Sequence, residues 1–180
     1  MGEAITERDS LPVMTTLGVT TLISDSGVTR YRVNTEEWMM YDRKKPSYWA
    51  FEKGVYMEQF DSIFNVEASI KADTAYYYDK ERLWKLIGNV DIQNRKGERF
   101  NTELLYWNEA TQKVYSDKFI RIQQPDRIIT GHGFDSHQQM TIYTIRNIEG
   151  IFYVDEEASS GPPQPETKAL PDSVNKDTAK

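Results

Sequence analysis

Between Leu83 and Ile122 the chain reads LWKLIGNVDIQNRKGERFNTELLYWNEATQKVYSDKFIRI. Apolar positions recur at every second residue through Val90 and Ile92, through Phe100, Thr102, Leu104 and Tyr106, and through Val114, Ser116, Ile120 and Ile122. Two turn-forming clusters, Asn94-Arg95-Lys96-Gly97 and Asn108-Glu109-Ala110-Thr111, interrupt the alternation. A period of two broken by Gly and Asn turns is the pattern of antiparallel strands joined by hairpins. A helix, with its period of 3.6, would scatter these side chains around its surface.

The same grammar extends in both directions. Residues 1–12 are polar, end at Pro12 and read as a tether. Val19, Thr21 and Ile23 lead into the turn Asp25-Ser26-Gly27, from which Val28 to Val33 returns. Gly there supplies the positive φ that such turns need. Asn34 to Tyr41 fits helix or strand, and the aromatic, turn-rich flanks favour strand. Asp42 to Pro46 is a loop, Tyr48 to Phe51 a short strand, Glu52-Lys53-Gly54 a turn, and Val55 to Phe60 the return. Phe64, Val66, Ala68, Ile70 and Ala72 alternate with polar residues up to Asp73, which predicts a strand of roughly 33 Å with one dry face. After Ile122, a turn at Gln124-Pro125-Asp126 precedes Arg127 to Thr130. Gly131 and Gly133 then suggest a bulge, a bend or the close approach of another backbone. A last strand is expected over Met140 to Ile148, with Ile151 to Val154 as a possible addition. The Pro-rich tail, residues 155–180, has too little apolar surface to offset its ordering entropy and reads as disordered. Residues 13–154 thus form one domain. Tyr76/Tyr106, Val90/Ile120 and Ile92/Ile122 are each separated by the same interval, a faint internal repeat of a hairpin unit.

Composition narrows the function. The 11 Tyr, 7 Phe and 4 Trp suit a pleated surface, and a net charge of -6 argues against nucleic acid, whose phosphates demand a basic footprint. Cysteine is absent, so there is neither a disulfide framework nor a thiolate metal site. No stretch approaches the ~20 apolar residues that span a bilayer. His132 and His137 stand without further ligands at metal spacing, so no metal and no cofactor is expected. Glu36-Glu37, Glu52, Glu58 and Asp155-Glu156-Glu157 read as solvated strand faces, because adjacent strand positions point to opposite sides and cannot pair across a substrate. Arg43-Lys44-Lys45 reads as a solvated loop with a possible contact to an anionic headgroup. No phosphate loop, nucleophile elbow or other catalytic set is present, and an enzyme is not expected. What remains is the dry face itself, which a second sheet or a ligand must cover. Phe64, Val66, Ile70, Trp84, Leu86, Phe100, Leu104, Ile120 and Ile142 are the residues expected to line it.

Several segments, in order, carry a resemblance. They are Ser24 to Arg32 (SDSGVTRYR), Ile70-Lys71-Ala72-Asp73-x-Ala75, Leu86-x-Gly88-Asn89-Val90, Thr102-Glu103-Leu104 and Val114-Tyr115-Ser116-Asp117. Ile129 to Ser136 (ITGHGFDS) and Ile145-Arg146-Asn147 follow them. Together they resemble the lipopolysaccharide-transport family LptC over about residues 13–150. The resemblance implies an all-β fold, a single antiparallel β-jellyroll open along one side, with an apolar groove that shields lipopolysaccharide acyl chains. It also implies a periplasmic protein anchored in the inner membrane, the anchor lying outside this sequence. Its partners would be an ABC transporter of the same export system and a periplasmic bridge protein, LptA or its equivalent. The partner-binding edge is expected around Gly131, Gly133, Met140 and Ile145. A soluble, self-assembling bridge protein of the same superfamily and a closed β-sandwich binding carbohydrate or protein are the alternatives.

Overall fold

A computed structural model describes residues 9–154. The tail, and all of the tether up to residue 8, lie outside the described residues. The elements are all strands, paired antiparallel into one eleven-stranded sheet. In chain order they are β1 (Met14–Asp25), β2 (Val28–Tyr41), β3 (Tyr48–Phe51), β4 (Val55–Phe60), β5 (Val66–Ala72) and β6 (Thr74–Tyr78). Then come β7 (Leu83–Asn94), β8 (Arg99–Asn108), β9 (Lys113–Gln123), β10 (Arg127–His137) and β11 (Tyr143–Tyr153).

The register reduces these strands to a meander. β3 and β4 pair successively with β2, through Met39↔Ala50 and then Val33↔Met57, so they are one long run interrupted at Glu52-Lys53-Gly54. β5 and β6 likewise pair in turn with β7, through Ile70↔Ile92 and Ala75↔Leu86, and break only at Asp73. Every long run therefore hydrogen-bonds to the next one in sequence, and each carries an interruption near its middle. In β7, β8, β9 and β10 the interruptions are register shifts, between Ile87 and Val90, between Thr102 and Tyr106, and between His132 and Phe134. Lined up across the sheet they form a crease, as bulges bend and twist the strands that carry them.

The sheet folds over along that crease. Tyr31, in the first half of β2, meets Trp107, in the second half of β8, with ring centroids 5.0 Å apart. Phe100 reaches Phe134 at 5.6 Å and Tyr143 at 5.1 Å in the same manner. These pairs are neither strand neighbours nor register partners, so they touch across the interior. The result is the antiparallel jellyroll that the resemblance implied. Among the described residues its two outer strands are unjoined: β1 pairs only with β2, and β11 only with β10.

The ordering of hairpins follows the sequence reading closely. Asn34 to Tyr41 is strand, the turn Asp25-Ser26-Gly27 stands as expected, and β3 and β4 have the expected limits. The internal repeat has a simple origin, since Val90 and Ile120 flank the same residue, Thr102, from the two neighbouring strands. Two elements differ from expectation. The strand foreseen from Phe64 begins only at Val66, because Asp61 draws Ile63, Asn65 and Phe64 into a turn: its Oδ1 accepts from the amides of Ile63 and Asn65 at 2.9 and 2.8 Å, and its carbonyl accepts from the Phe64 amide. The last strand begins at Tyr143, not Met140, and runs unbroken to Tyr153 with a register shift opposite Thr130/Gly131.

Candidate lipid-binding interior and strand edges

The inward residues of both halves form one continuous apolar core. Trp84, Leu86, Val90, Ile92, Phe100, Leu105, Ile120, Ile122 and Phe134 are all essentially inaccessible. An aromatic spine crosses it: Trp38 to Trp49 (4.9 Å), Trp49 to Tyr77 (5.0 Å), Tyr77 to Trp84 (4.7 Å), Trp84 to Trp107 (6.2 Å), and Trp107 to Tyr31 (5.0 Å). Such ring pairs add about 0.5–1.5 kcal/mol each beyond the area they bury. Glu109 holds the middle of the spine, accepting from Trp84 Nε1 at 2.9 Å and from the Tyr77 hydroxyl at 3.3 Å. Burial, and secondarily the charge of Glu109, raises the Tyr31 and Tyr77 hydroxyls to about 12. The indole N–H of Trp107 has no hydrogen-bond partner among the described residues.

Of the nine expected groove residues, Trp84, Leu86, Phe100 and Ile120 stand in this interior, and Ile70 is half-buried against it. The others do not. Leu104 lies on the opposite face, and Leu105 and Trp107 point inward in its place. The register shift between Thr102 and Tyr106 changes the phase of alternation within β8, and the Leu104-Leu105 pair hid that change in the sequence. Phe64 and Val66 sit with Ile63 as an exposed apolar rim at the β4–β5 turn, Phe64 with φ 67° and stacked on Phe60 at 4.3 Å. Ile142 is exposed in the turn before β11. Met57, Leu105, Trp107, Val114, Ile122 and Phe134 were missed. Val114 and Ile122 carried the signal, being part of the original alternation.

Where the two layers meet, the seam has a polar latch. Asn94, buried in the β7–β8 turn, donates from Nδ2 to the carbonyl of Met140 at 2.9 Å, while its Oδ1 accepts from the amides of Lys96 and Glu98, both at 3.0 Å. The Tyr143 hydroxyl donates to Glu98 Oε2 at 2.7 Å and accepts from Gln124 Nε2 at 2.6 Å. Burial, followed by that bond to Glu98, holds Tyr143 at about 12. Met140 itself is fully buried, in a left-handed backbone conformation (φ 58°) that methionine seldom adopts. Farther along the seam, Tyr31, Met57, Ile70, Trp107, Val114 and Gln138 surround a cavity of only about 10 Å³.

The edge expectation needs the same sorting. Of the two free edges, the one on this side is β11, whose Ile148, Ile151, Phe152 and Tyr153 are exposed. Met140 is in the core and Ile145 packs against it, so neither is presented at that edge. Gly131 is buried, and a Cβ there would collide with the Asn147 carbonyl, so its role is the close approach of β11 to β10. Gly133 (φ 79°) lies under Arg146, whose guanidinium binds Ser116 O at 2.7 Å, Asp117 at 2.7 Å and Asp135 at 3.1 Å. That clamp ties β9, β10 and β11 together at the crease.

The fold is thus a twisted antiparallel roll with an apolar interior and two free edge strands. The model described as "Lipopolysaccharide-assembly, LptC-related" matches residues 13–147. The chain belongs to the LptC family. LptC proteins are periplasmic components of lipopolysaccharide transport, and this chain shares that role. The comparison with curated proteins returned no match. No helix among the described residues is long and apolar enough to cross a membrane.

Proposed function

We propose that this LptC-family protein holds lipopolysaccharide acyl chains between its two layers and passes them from an inner-membrane ABC transporter to a periplasmic bridge protein. An anchor would hold it at the inner membrane. The observation that carries the reading is the continuity of the apolar interior from the aromatic spine to Phe100 and Phe134, in a sheet whose edges never close. Acyl chains moved there from water gain roughly 25 cal/mol per Å² of apolar surface buried.

The interior is filled by the protein's own side chains, so loading requires the layers to part along the seam. The exposed rim of Ile63, Phe64 and Val66 offers a first apolar contact, and a small cavity lies beside Ile70 and Trp107. Handover would use β11: a free strand edge can accept the edge of another roll through backbone hydrogen bonds. The exposed Ile148, Ile151 and Phe152 would then be covered.

The test is photo-crosslinking to lipopolysaccharide. A benzophenone side chain placed at Tyr31 or Ile70, beside the seam, is expected to give adducts, whereas one at the outward Lys85 is not. No adduct from either seam position, or equal adducts from Lys85, refutes the acyl-chain reading.

A further inference from the structure

On the outer surface the crease forms a second concavity, of about 800 Å³, that neither the interior nor the edges use. It exists because the hydrogen-bond ladder lapses there. Pairing passes from Ile87↔Leu104 to Val90↔Thr102, leaving Gly88, Asn89 and Glu103 without ladder partners. On the other side it passes from Thr102↔Ile120 to Tyr106↔Tyr115, leaving residues 116–119 outside the register. Gly88 and Asn89 both take positive φ, 78° and 45°, to make the step. Local groups take up some of the freed backbone: the Asp73 amide donates to Gly88 O at 3.0 Å, and Thr102 Oγ1 donates to Phe119 O at 2.7 Å.

The lining is polar and ordered by the register. Lys71, Asp91, Asn101 and Arg121 are successive cross-strand partners on β5, β7, β8 and β9, so their side chains form a row at the strand spacing of about 4.8 Å. Asn89, Glu103, Lys118, Phe119 and His132 stand beside that row. Several acids are already engaged. Asp91 is paired with Arg99, Asp73 accepts from Asn89 Nδ2 at 2.7 Å, and Glu149 meets His132 Nδ1 at 2.5 Å. Among the described residues Lys71 and Lys118 make no ion pair, and Arg121 reaches only Gln123, at 3.3 Å. Three cations, Lys71, Lys118 and Arg121, therefore face two carboxylates that no cation neutralises among the described residues, Glu103 and Asp73, so uncommitted positive charge exceeds negative by one. Phe119 is 44% exposed, one edge against His132.

This chemistry selects its ligand. Amides, a carboxylate and a guanidinium in one row serve a ligand that both donates and accepts along its length. A partially exposed phenyl ring suits the C–H face of a pyranose. A peptide adding as a strand would need an unpaired edge, and the crease is in mid-sheet. Nucleic acid would need a far more basic surface than this chain, at -6, provides. We propose that the outer crease binds an acidic oligosaccharide, its anionic groups on Lys118 and Arg121, its hydroxyls on Asn101 and Asn89, and one ring against Phe119. The site lies on the opposite face from the acyl-chain interior and does not rest on that reading.

The experiment is an amide-shift and calorimetric titration of the whole chain, with an oligogalacturonate as a comparison ligand beside three main probes. They are a fully deacylated, phosphorylated lipopolysaccharide oligosaccharide, the neutral maltoheptaose, and inorganic phosphate. The acidic oligosaccharide is expected to shift Asn101, Lys118, Phe119 and Arg121, with maltoheptaose at least tenfold weaker. The pair Lys118→Ala and Arg121→Ala should weaken binding at least tenfold without changing the melting temperature. Lys118 is exposed and Arg121 half-buried, both outside the apolar core, so folding is expected to survive, and Phe119→Ala is the second variant. An oligogalacturonate identifies the source of the ligand: binding equal to the first probe supports any acidic saccharide, and weaker binding supports the lipopolysaccharide sugar. The proposal is overturned if the acidic oligosaccharide shifts nothing, if the shifts map elsewhere, if maltoheptaose binds as well, or if phosphate alone reproduces the pattern. Crosslinking of lipid from Ile70 should be unchanged in the double variant, so the two readings fail separately.

Discussion

The seam latch gives the sharpest prediction, because one side chain bridges both layers. Asn94→Ala removes three hydrogen bonds, those to Met140 O and from the amides of Lys96 and Glu98. A typical net contribution is about 1 kcal/mol per bond. Leaving a carbonyl or amide unpaired where water cannot replace the partner costs about 1–3 kcal/mol instead. Lys96 lies in an exposed turn, and water can take its amide. The Met140 carbonyl and the Glu98 amide are less fortunate, so the expected loss is about 3 kcal/mol by urea unfolding. Asn94→Asp separates the two roles. It keeps the acceptor for the turn amides and loses only the donor across the seam, setting a carboxylate against a carbonyl. Near neutral pH the expected loss is about 2 kcal/mol. Acidification, by protonating the introduced carboxyl and restoring a donor, should shrink that loss. Hydrogen exchange should quicken at residues 138–142 in both variants, with β2 to β6 unaffected. If Asn94→Asp leaves stability and exchange as in the parent, the seam is not held by this bond and the latch argument fails.

Further predictions follow from the core, the glycines and the tyrosines. Phe100→Ala, at a site with no exposure and two cross-layer ring contacts, should cost about 3–5 kcal/mol in denaturant unfolding, while the outward Tyr106→Ala should cost well under half of that. Gly131→Ala should destabilise more than Gly133→Ala, because its new methyl would collide with the Asn147 carbonyl oxygen, backbone that cannot give way, whereas the cost at Gly133 is that of a side chain at φ 79° and of displacing Arg146 from its clamp. Thermal melts order the two. In spectrophotometric titration Tyr31, Tyr76, Tyr77 and Tyr143 should stay protonated to about pH 12. Each is raised above its unfolded value of 10.0, so its contribution to stability is complete below pH 10 and is lost as pH rises toward 12. Phe152→Asp should leave folding intact and weaken capture of a bridge protein by β11, measured by pull-down with the purified partner.

Much of this fold was legible because period-two alternation and turn chemistry are local signals. Val90, Ile92, Phe100, Ile120 and Ile122 needed only their neighbours to be read as inward. What local pattern could not convey was the crease. A bulge moves the phase of alternation by one residue, and where both phases are apolar, as at Leu104-Leu105, the sequence offers no mark of the change. The same limit applied at Phe64, where an alternating run continued into a turn governed by the side chain of Asp61. The glycines suggested a bulge, a bend or a close approach without deciding among them, and the partners, Arg146 and the Asn147 carbonyl, come from a strand whose start was misplaced. The latch was invisible for a different reason: Asn94 and Met140 meet only after the sheet has folded over.

The placement of polar contacts bears on how such a roll could open. Along the crease, on the side where the sheet is continuous, the layers are joined by covalent chain and by the Arg146 clamp. On the seam side they are joined by apolar contact and by two small hydrogen-bond networks centred on Asn94 and Tyr143. Apolar contact is replaceable by an acyl chain at little cost, since one apolar surface substitutes for another. Hydrogen bonds across the seam are directional and would be lost outright on parting, so they set the closed geometry without adding to the affinity for lipid. Tyr143 is also the first residue of β11, the free edge. A partner strand pairing along β11 would fix the backbone on which that hydroxyl depends. Edge pairing and seam opening are therefore mechanically adjacent. If they are coupled, hydrogen exchange at residues 138–142 should change when β11 is occupied; exchange that ignores the partner would show that the edge and the seam act independently.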